Sequence, residues 1–154
     1  MYGTRLKSHK FYRDIFLAVE KKIIRKYHAA KVSHVGGTSL KLPSGKGDVD
    51  VYVLYNSSQE RNRLRIILTK LFGVPAKITK DRIRYNFYTK GVEVELQLVN
   101  QKQYDAAINL SEYLNQYPSE SKKYAASVNK LRQKFLQDMY YIKSNFVRRA
   151  KNHE

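Results

Sequence analysis

Two aspartates spaced two apart, with a glycine pair upstream, are the residues of this chain best placed to do chemistry. Val35-Gly36-Gly37-Thr38-Ser39 closes one apolar stretch, and Gly47-Asp48-Val49-Asp50-Val51-Tyr52-Val53 runs into another. Successive side chains of a β-strand point to opposite faces, so Asp48 and Asp50 share one face. Val49, Val51 and Val53 take the other face and can be buried. Adjacent carboxylates repel each other, and a divalent cation between them relieves the repulsion. The Gly-Gly-Thr-Ser turn offers backbone N–H groups and two hydroxyls, which suit a phosphate. Carboxylate pair and phosphate cradle together equip a site for metal-assisted phosphoryl or nucleotidyl transfer.

A two-metal site of this kind wants another acid, because two cations need several bridging and terminal oxygens. Val92-Glu93-Val94-Glu95-Leu96-Gln97-Leu98-Val99 alternates, with Glu93, Glu95 and Gln97 on one face. Glu95 is the expected third acid and Glu93 an acid on a solvated face, with Glu93 the alternative. Other chemistries find little support. His9, His28, His34 and His153 lack metal-ligand spacing, and His34 reads as a packed or surface histidine. Ser39 has no Ser/His/Asp constellation around it, and the Walker A spacing is absent.

The elements that must position these residues follow from periodicity. Ser8 to Ala30 reads as an amphipathic helix with Phe11, Ile15, Val19, Ile23 and Tyr27 on its stripe, widened by Phe16, Ala18 and Ile24. Lys31 to Val35 reads as a short strand, Leu40 to Gly47 as a loop and Asp48 to Tyr55 as a strand. Ser57 and Glu60 form a capping-box pattern opening a helix to about Phe72, where Gly73 and Pro75 end it. Ala76–Thr79, Ile83–Tyr88 and Val92–Val99 read as strands, the last two joined by a turn at Thr89-Lys90-Gly91. Lys102 to Tyr117 is helical, and Pro118 starts a long final helix reaching about Ala150. The order α-β-β-α-β-β-β-α-α describes one α+β, or mixed α/β, domain over residues 1–154, with about five strands in a central mixed sheet.

Composition bears on partners. Lys and Arg total 30 against 13 Asp and Glu, a net charge of +17. Such an excess points to nucleic acid first and an anionic surface second, with a lysine-rich solubilising surface as the plain explanation. The 13 tyrosines could stack on single strands, but many fall at helical spacing and read as core or boundary residues. Without cysteine the chain has no disulfide framework and no thiolate metal site. No apolar run approaches the roughly 20 residues of a membrane span, and no signal peptide is recognisable. A soluble, cytoplasmic protein is expected.

Val35-Gly36-Gly37, ten intervening residues and Asp48-Val49-Asp50-Val51 resemble the signature of the nucleotidyltransferase superfamily, the DNA polymerase β-like fold. Gly91-Val92-Glu93-Val94-Glu95-Leu96 resembles the strand bearing the third acid in archaeal CCA-adding enzymes, which places that acid at Glu95. Those enzymes usually carry Ser where this chain has Gly37, and Asp where it has Glu95. A second branch is also similar. Gly36-Gly37-Thr38-Ser39 through Lys46, Asp50 and Val51 resembles the stretch in GrpB-like proteins without gaps. Tyr113-Leu114-Asn115-Gln116-Tyr117-Pro118, Tyr140-Tyr141-Ile142-Lys143 and Phe146 resemble that group as well. GrpB-like proteins generally lack the acid found at Asp48 and carry histidines where this chain has Glu93 and Glu95.

The resemblance implies a nucleotidyltransferase fold and an enzyme. Asp48, Asp50 and Glu95 would hold two Mg²⁺ ions, and Gly36, Gly37, Thr38 and Ser39 would meet the phosphates of an NTP, ATP foremost. Lys46 is a charge partner for those phosphates or, equally, a solvated loop lysine. Lys130 and Arg132 on the last helix are further candidates for the triphosphate. The expected reaction moves a nucleoside monophosphate to an acceptor hydroxyl, an RNA (tRNA-like) 3′ end before a DNA. The rivals are a non-catalytic nucleotide- or RNA-binding module of the same fold, and an enzyme that adenylylates a small molecule or a partner. Oligomeric state has no signature in the sequence.

Overall fold

The computed structural model describes residues 6–151, and within the last helix only some of the side chains. Helix α1 (His9–Lys26) is followed by β1 (Val32–Val35), a single 3₁₀ turn at Gly37–Ser39, and β2 (Val49–Leu54). Then come α2 (Ser58–Phe72), β3 (Lys77–Ile78), β4 (Ile83–Thr89), β5 (Val92–Val99), α3 (Gln101–Gln116) and α4 (Pro118–Lys151). The strands form one five-stranded sheet in the order β1-β2-β5-β4-β3. Strands β2 and β5 are parallel neighbours; the other pairs are antiparallel. The expected mixed α/β fold, with about five strands in a central mixed sheet, is therefore what the chain adopts.

Alternation decides which face of the sheet is buried. Val49, Val51, Val53, Val94, Leu96, Leu98, Ile83 and Tyr85 point to one face and are fully buried. Helices α1 and α2 cover them, α1 through Ile15, Phe16, Val19 and Ile23 and α2 through Leu64 and Leu68. The opposite face carries Asp50, Tyr52, Glu95 and Gln97 and looks toward α3, leaving a cleft between them. Ser33 of β1 and Tyr104 of α3 share a hydrogen bond that ties that helix to the sheet.

Local chemistry sets the element ends. Ser8 caps α1 by accepting from Phe11 N. The helix stops at Lys26, short of the expected Ala30, because Tyr27 turns extended and its hydroxyl donates to Glu60 of α2. Tyr12, not Phe11, is the fully packed aromatic of the first turn, and Ala18 is exposed. Ser57 accepts from Glu60 N as a capping box requires, yet the Glu60 carboxylate takes Asn56 N and Tyr27 instead of Ser57 N. The reciprocal box occurs at α3, between Asn100 and Gln103. The β4–β5 hairpin closes on two residues, Lys90 and Gly91, both with positive φ, which is the type I′ turn that matches strand twist. Strand β3 shrinks to two exposed edge residues behind Pro75. Pro118 stands at the first position of α4, where its missing N–H costs nothing.

Candidate active site

The parallel pairing of β2 with β5 sets Asp50 directly opposite Glu95. Asp48 precedes β2 by one residue, on the same face as Asp50. One carboxylate oxygen from each of Asp48, Asp50 and Glu95 lies within 4.8 Å of the others. Burial and the neighbouring charges of Asp48 and Glu95 push the Asp50 carboxyl up to about 7, with Lys46 pulling the other way. Lys46 Nζ stands 3.4 Å from Asp48 Oδ2, and the acid raises the lysine's pKa. That lysine is 55% exposed, so the pair is worth little to stability. One lysine against three acids leaves a surplus of negative charge on hard oxygen donors, the donor set that suits Mg²⁺.

Glu95 is held from the side. Gln97 Nε2 donates to Glu95 Oε1 at 2.9 Å, and Arg82 Nη1 donates to Gln97 Oε1 at 3.0 Å. Arg82 can only donate, so the amide orientation of Gln97 is fixed and its NH₂ faces Glu95. Glu93 stands apart from the three acids and accepts from Asn86 Nδ2 at 3.0 Å.

The glycine turn packs against the acids. Gly36 has φ +74, and a Cβ there would collide with Asp50 Oδ2. A Cβ at Gly37 would strike the backbone carbonyl of Ser44. Thr38 is 1% exposed and donates to Asp48 O at 2.8 Å. Its single proton is thereby assigned, so the 3.0 Å contact from His34 Nε2 makes the histidine the donor. Burial holds the His34 pKa down to about 4, the ring lies stacked on Phe16, and it stays neutral. Ser39 Oγ donates to Gly36 O at 2.6 Å. Both hydroxyls expected to face phosphate thus brace the turn from within. Lys130 is exposed and lines none of the clefts beside the acids, and the Arg132 side chain lies outside the described residues.

Three clefts meet the acids. The largest, about 710 Å³, opens from Gly36 and Asp50 along the polar sheet face to α3, past Tyr52, Arg82, Gln97 and Asn100. A second, about 320 Å³, encloses Ser44, Lys46, Asp48 and Asp50 under Tyr124 and Val128 of α4. A third, about 300 Å³, lies on the Asp48–Glu93 side and is lined by Lys7, Lys46 and Lys90. Sequence reading gave Ser44 only to a loop, Tyr124 only to a helix stripe, and no role to Arg82. Alternation did place Gln97 on the face of Glu95; nothing local could place the others.

Residues 6–152 match the GrpB protein family. The chain belongs to the GrpB family. The crystal structure of the conserved protein GrpB from Enterococcus faecalis superposes with a TM-score of 0.66 at 13% identity, covering 84% of this chain and 82% of that one. The Cid1 poly(U) polymerase bound to MgGTP gives a TM-score of 0.52 at 17% identity over 72% of this chain. A cytoplasmic RNA terminal U-transferase gives 0.54 at 15% identity over 75%. This GrpB-family chain spans 37% of the length of each of those two enzymes, and at such identities the likeness is one of fold. No curated protein matches the chain. Among the described residues no helix is long and apolar enough to cross a membrane.

Proposed function

We propose that this GrpB-family protein is a metal-dependent nucleotidyltransferase that moves a nucleoside monophosphate from an NTP to an acceptor hydroxyl. The observation that carries the reading is the convergence of Asp48, Asp50 and Glu95 within 4.8 Å on the polar sheet face. Asp48, Asp50 and Glu95 would hold Mg²⁺, which would supply neutralisation of the triphosphate and a lowered pKa for the acceptor hydroxyl. Asp48 and Asp50 stand on the triphosphate side, beside the Gly36–Gly37 turn, whose missing side chains make room for the Asp50 carboxylate and for Ser44. Lys46, already drawn to Asp48, adds positive charge there. The 710 Å³ cleft would take the nucleoside, between Tyr52 and Tyr124 and beside the polar side chain of Asn100.

The reaction forms a bond from the acceptor oxygen to the α-phosphorus and breaks the bridge to the β-phosphate, releasing pyrophosphate. Glu95 faces the acceptor and receives its proton, and Gln97 and Arg82 hold that carboxylate still. The acceptor that suits a chain of net charge +17 is an RNA 3′ end. ATP heads the nucleotides to test, and two Mg²⁺ ions are expected from the chemistry of such sites. Incubation with each α-labelled NTP, Mg²⁺ and a pool of small RNAs tests the reading. Label on RNA that disappears with Asp50→Asn is the expected result; no label from any NTP would discard it.

A further inference from the structure

Ser44 sits in the loop between the glycine turn and β2, where sequence reading assigned no function. It is 2% exposed, yet its Oγ has no hydrogen-bond partner among the described residues. Burying a hydroxyl without a partner is unfavourable, and a native fold keeps such a group where something else completes it. The position is closely defined. Ser44 N donates to Gly37 O at 3.0 Å, pinning the loop over the turn. The Oγ lies 2.7 Å from where a Cβ of Gly37 would stand, so the space left by that glycine is occupied by the serine hydroxyl. Ser44 also lines the 320 Å³ pocket with Gly36, Gly37, Lys46, Asp48 and Asp50.

We infer that Ser44 is a phosphate-binding residue, its hydroxyl donating to a phosphoryl oxygen of a triphosphate seated between the Gly36–Gly37 turn and Lys46. This rests on the nucleotidyltransferase reading of the same site. Thr38 and Ser39, the hydroxyls that adjoin the glycines in sequence, already donate to Asp48 O and Gly36 O. Of the three Ser and Thr hydroxyls around the turn, Ser44 is thus the one whose proton no described residue takes. Phosphoryl oxygens are strong acceptors, and a hydrogen bond to a charged acceptor is roughly twice as strong as a neutral one. Lys46, two residues on, brings the positive charge that an anion needs next to two acids.

The test is calorimetric binding of inorganic tripolyphosphate in the presence of Mg²⁺, which reads phosphate contact without base or turnover. Wild type should bind, and Ser44→Ala should bind about tenfold or more weakly, the loss of one charge-assisted hydrogen bond. Ligand-free thermal midpoints should be equal, or higher for Ser44→Ala, since no internal bond is broken. Ser44→Cys, of similar size and with a weak donor, should bind nearly as poorly as Ser44→Ala. Equal affinity for wild type and Ser44→Ala overturns the assignment while leaving the proposed function standing. A ligand-free midpoint lowered by several degrees in Ser44→Ala also overturns it, by giving the hydroxyl a structural partner. A wild-type chain that binds neither tripolyphosphate nor MgATP overturns the proposed function and the assignment with it.

Discussion

Asp50 and Glu95 are Cα partners in the parallel β2–β5 ladder, and the acid cluster exists only in that register. A slip by one residue would set Val94 or Leu96 against Asp50 and turn apolar side chains into the polar cleft. The buried face forbids it, because Val49, Val51 and Val53 interlock with Val94, Leu96 and Leu98 under α1 and α2. Core packing therefore fixes the geometry of the site, and the acids themselves contribute repulsion.

Gly36→Ala should disable the site and weaken the fold together. Its φ of +74 with ψ of −173 belongs to a region open almost only to glycine, and its Cβ would displace the Asp50 carboxylate. The backbone strain alone is worth about 1–3 kcal/mol. Chemical denaturation should register that loss, and calorimetry should show Mg²⁺-dependent nucleotide binding abolished. Binding at wild-type strength would mean that the turn and Asp50 do not act together.

Stability of the metal-free protein should carry two opposed pH signatures. Folded Asp50 keeps its proton to about pH 7, against 3.8 ordinarily, so the folded state binds more protons in that window. Asp50 therefore makes stability fall as pH rises from about 4 to about 7. His34, held near 4 against 6.5 ordinarily, binds more protons when unfolded, so its contribution rises between about pH 4 and 6.5. The two slopes offset each other up to pH 6.5. Denaturant midpoints in EDTA for wild type and Asp50→Asn isolate the first. The variant should gain on wild type steadily from pH 4 to 7 and keep a constant advantage above, and Mg²⁺ should shrink that advantage at pH 8. Parallel curves would show that Asp50 titrates normally.

Much of this was legible before the fold was known, and the reason is local. Alternation in Val49–Val53 and Val92–Val99 fixed which acids share a face, and Gly36-Gly37 announced a turn. The parallel neighbourhood of β2 and β5 is a long-range pairing that no local pattern encodes; the resemblance to a known strand pointed to Glu95 as the third acid but to no strand order. A hydroxyl beside a glycine turn looks available in sequence, whereas folding supplies Thr38 and Ser39 with acceptors at Asp48 O and Gly36 O. Ser44 and Arg82 reach the site through loop geometry that no periodicity encodes.

Binding to single-stranded RNA should weaken steeply with salt. Each phosphate neutralised contributes a log–log slope of about 0.7 in magnitude. Lys7 and Lys90 line the cleft beside Asp48 and Glu93, so the double variant Lys7→Gln, Lys90→Gln should lower the slope by about 1.4 if both meet phosphates. Fluorescence anisotropy across a salt series measures it. An unchanged slope would move RNA contact to another face, and a flat wild-type response would favour a small-molecule acceptor.

Glu95 and Glu93 share a strand face but not an environment, and that contrast separates enzyme from binding module. Glu95 lies with Asp48 and Asp50 and is held by Gln97; Glu93 is bonded to Asn86 toward the hairpin. In an enzyme, Glu95→Gln keeps most of the affinity for NTP, which Asp48, Asp50 and the glycine turn provide. It loses the carboxylate that orients and deprotonates the acceptor. A transition-state contribution of ~3 kcal/mol already exceeds 100-fold in rate. Glu93→Gln should change single-turnover rate by less than about threefold, roughly the effect of one screened charge. Gln97→Leu should fall between them, lowering the rate with little change in NTP affinity, because it frees Glu95 without removing its charge. Single-turnover rates and NTP affinities for the three variants decide the question. Equal small effects at 93 and 95 would leave a binding module, and a large loss at Glu93 alone would transfer the third acid to that residue.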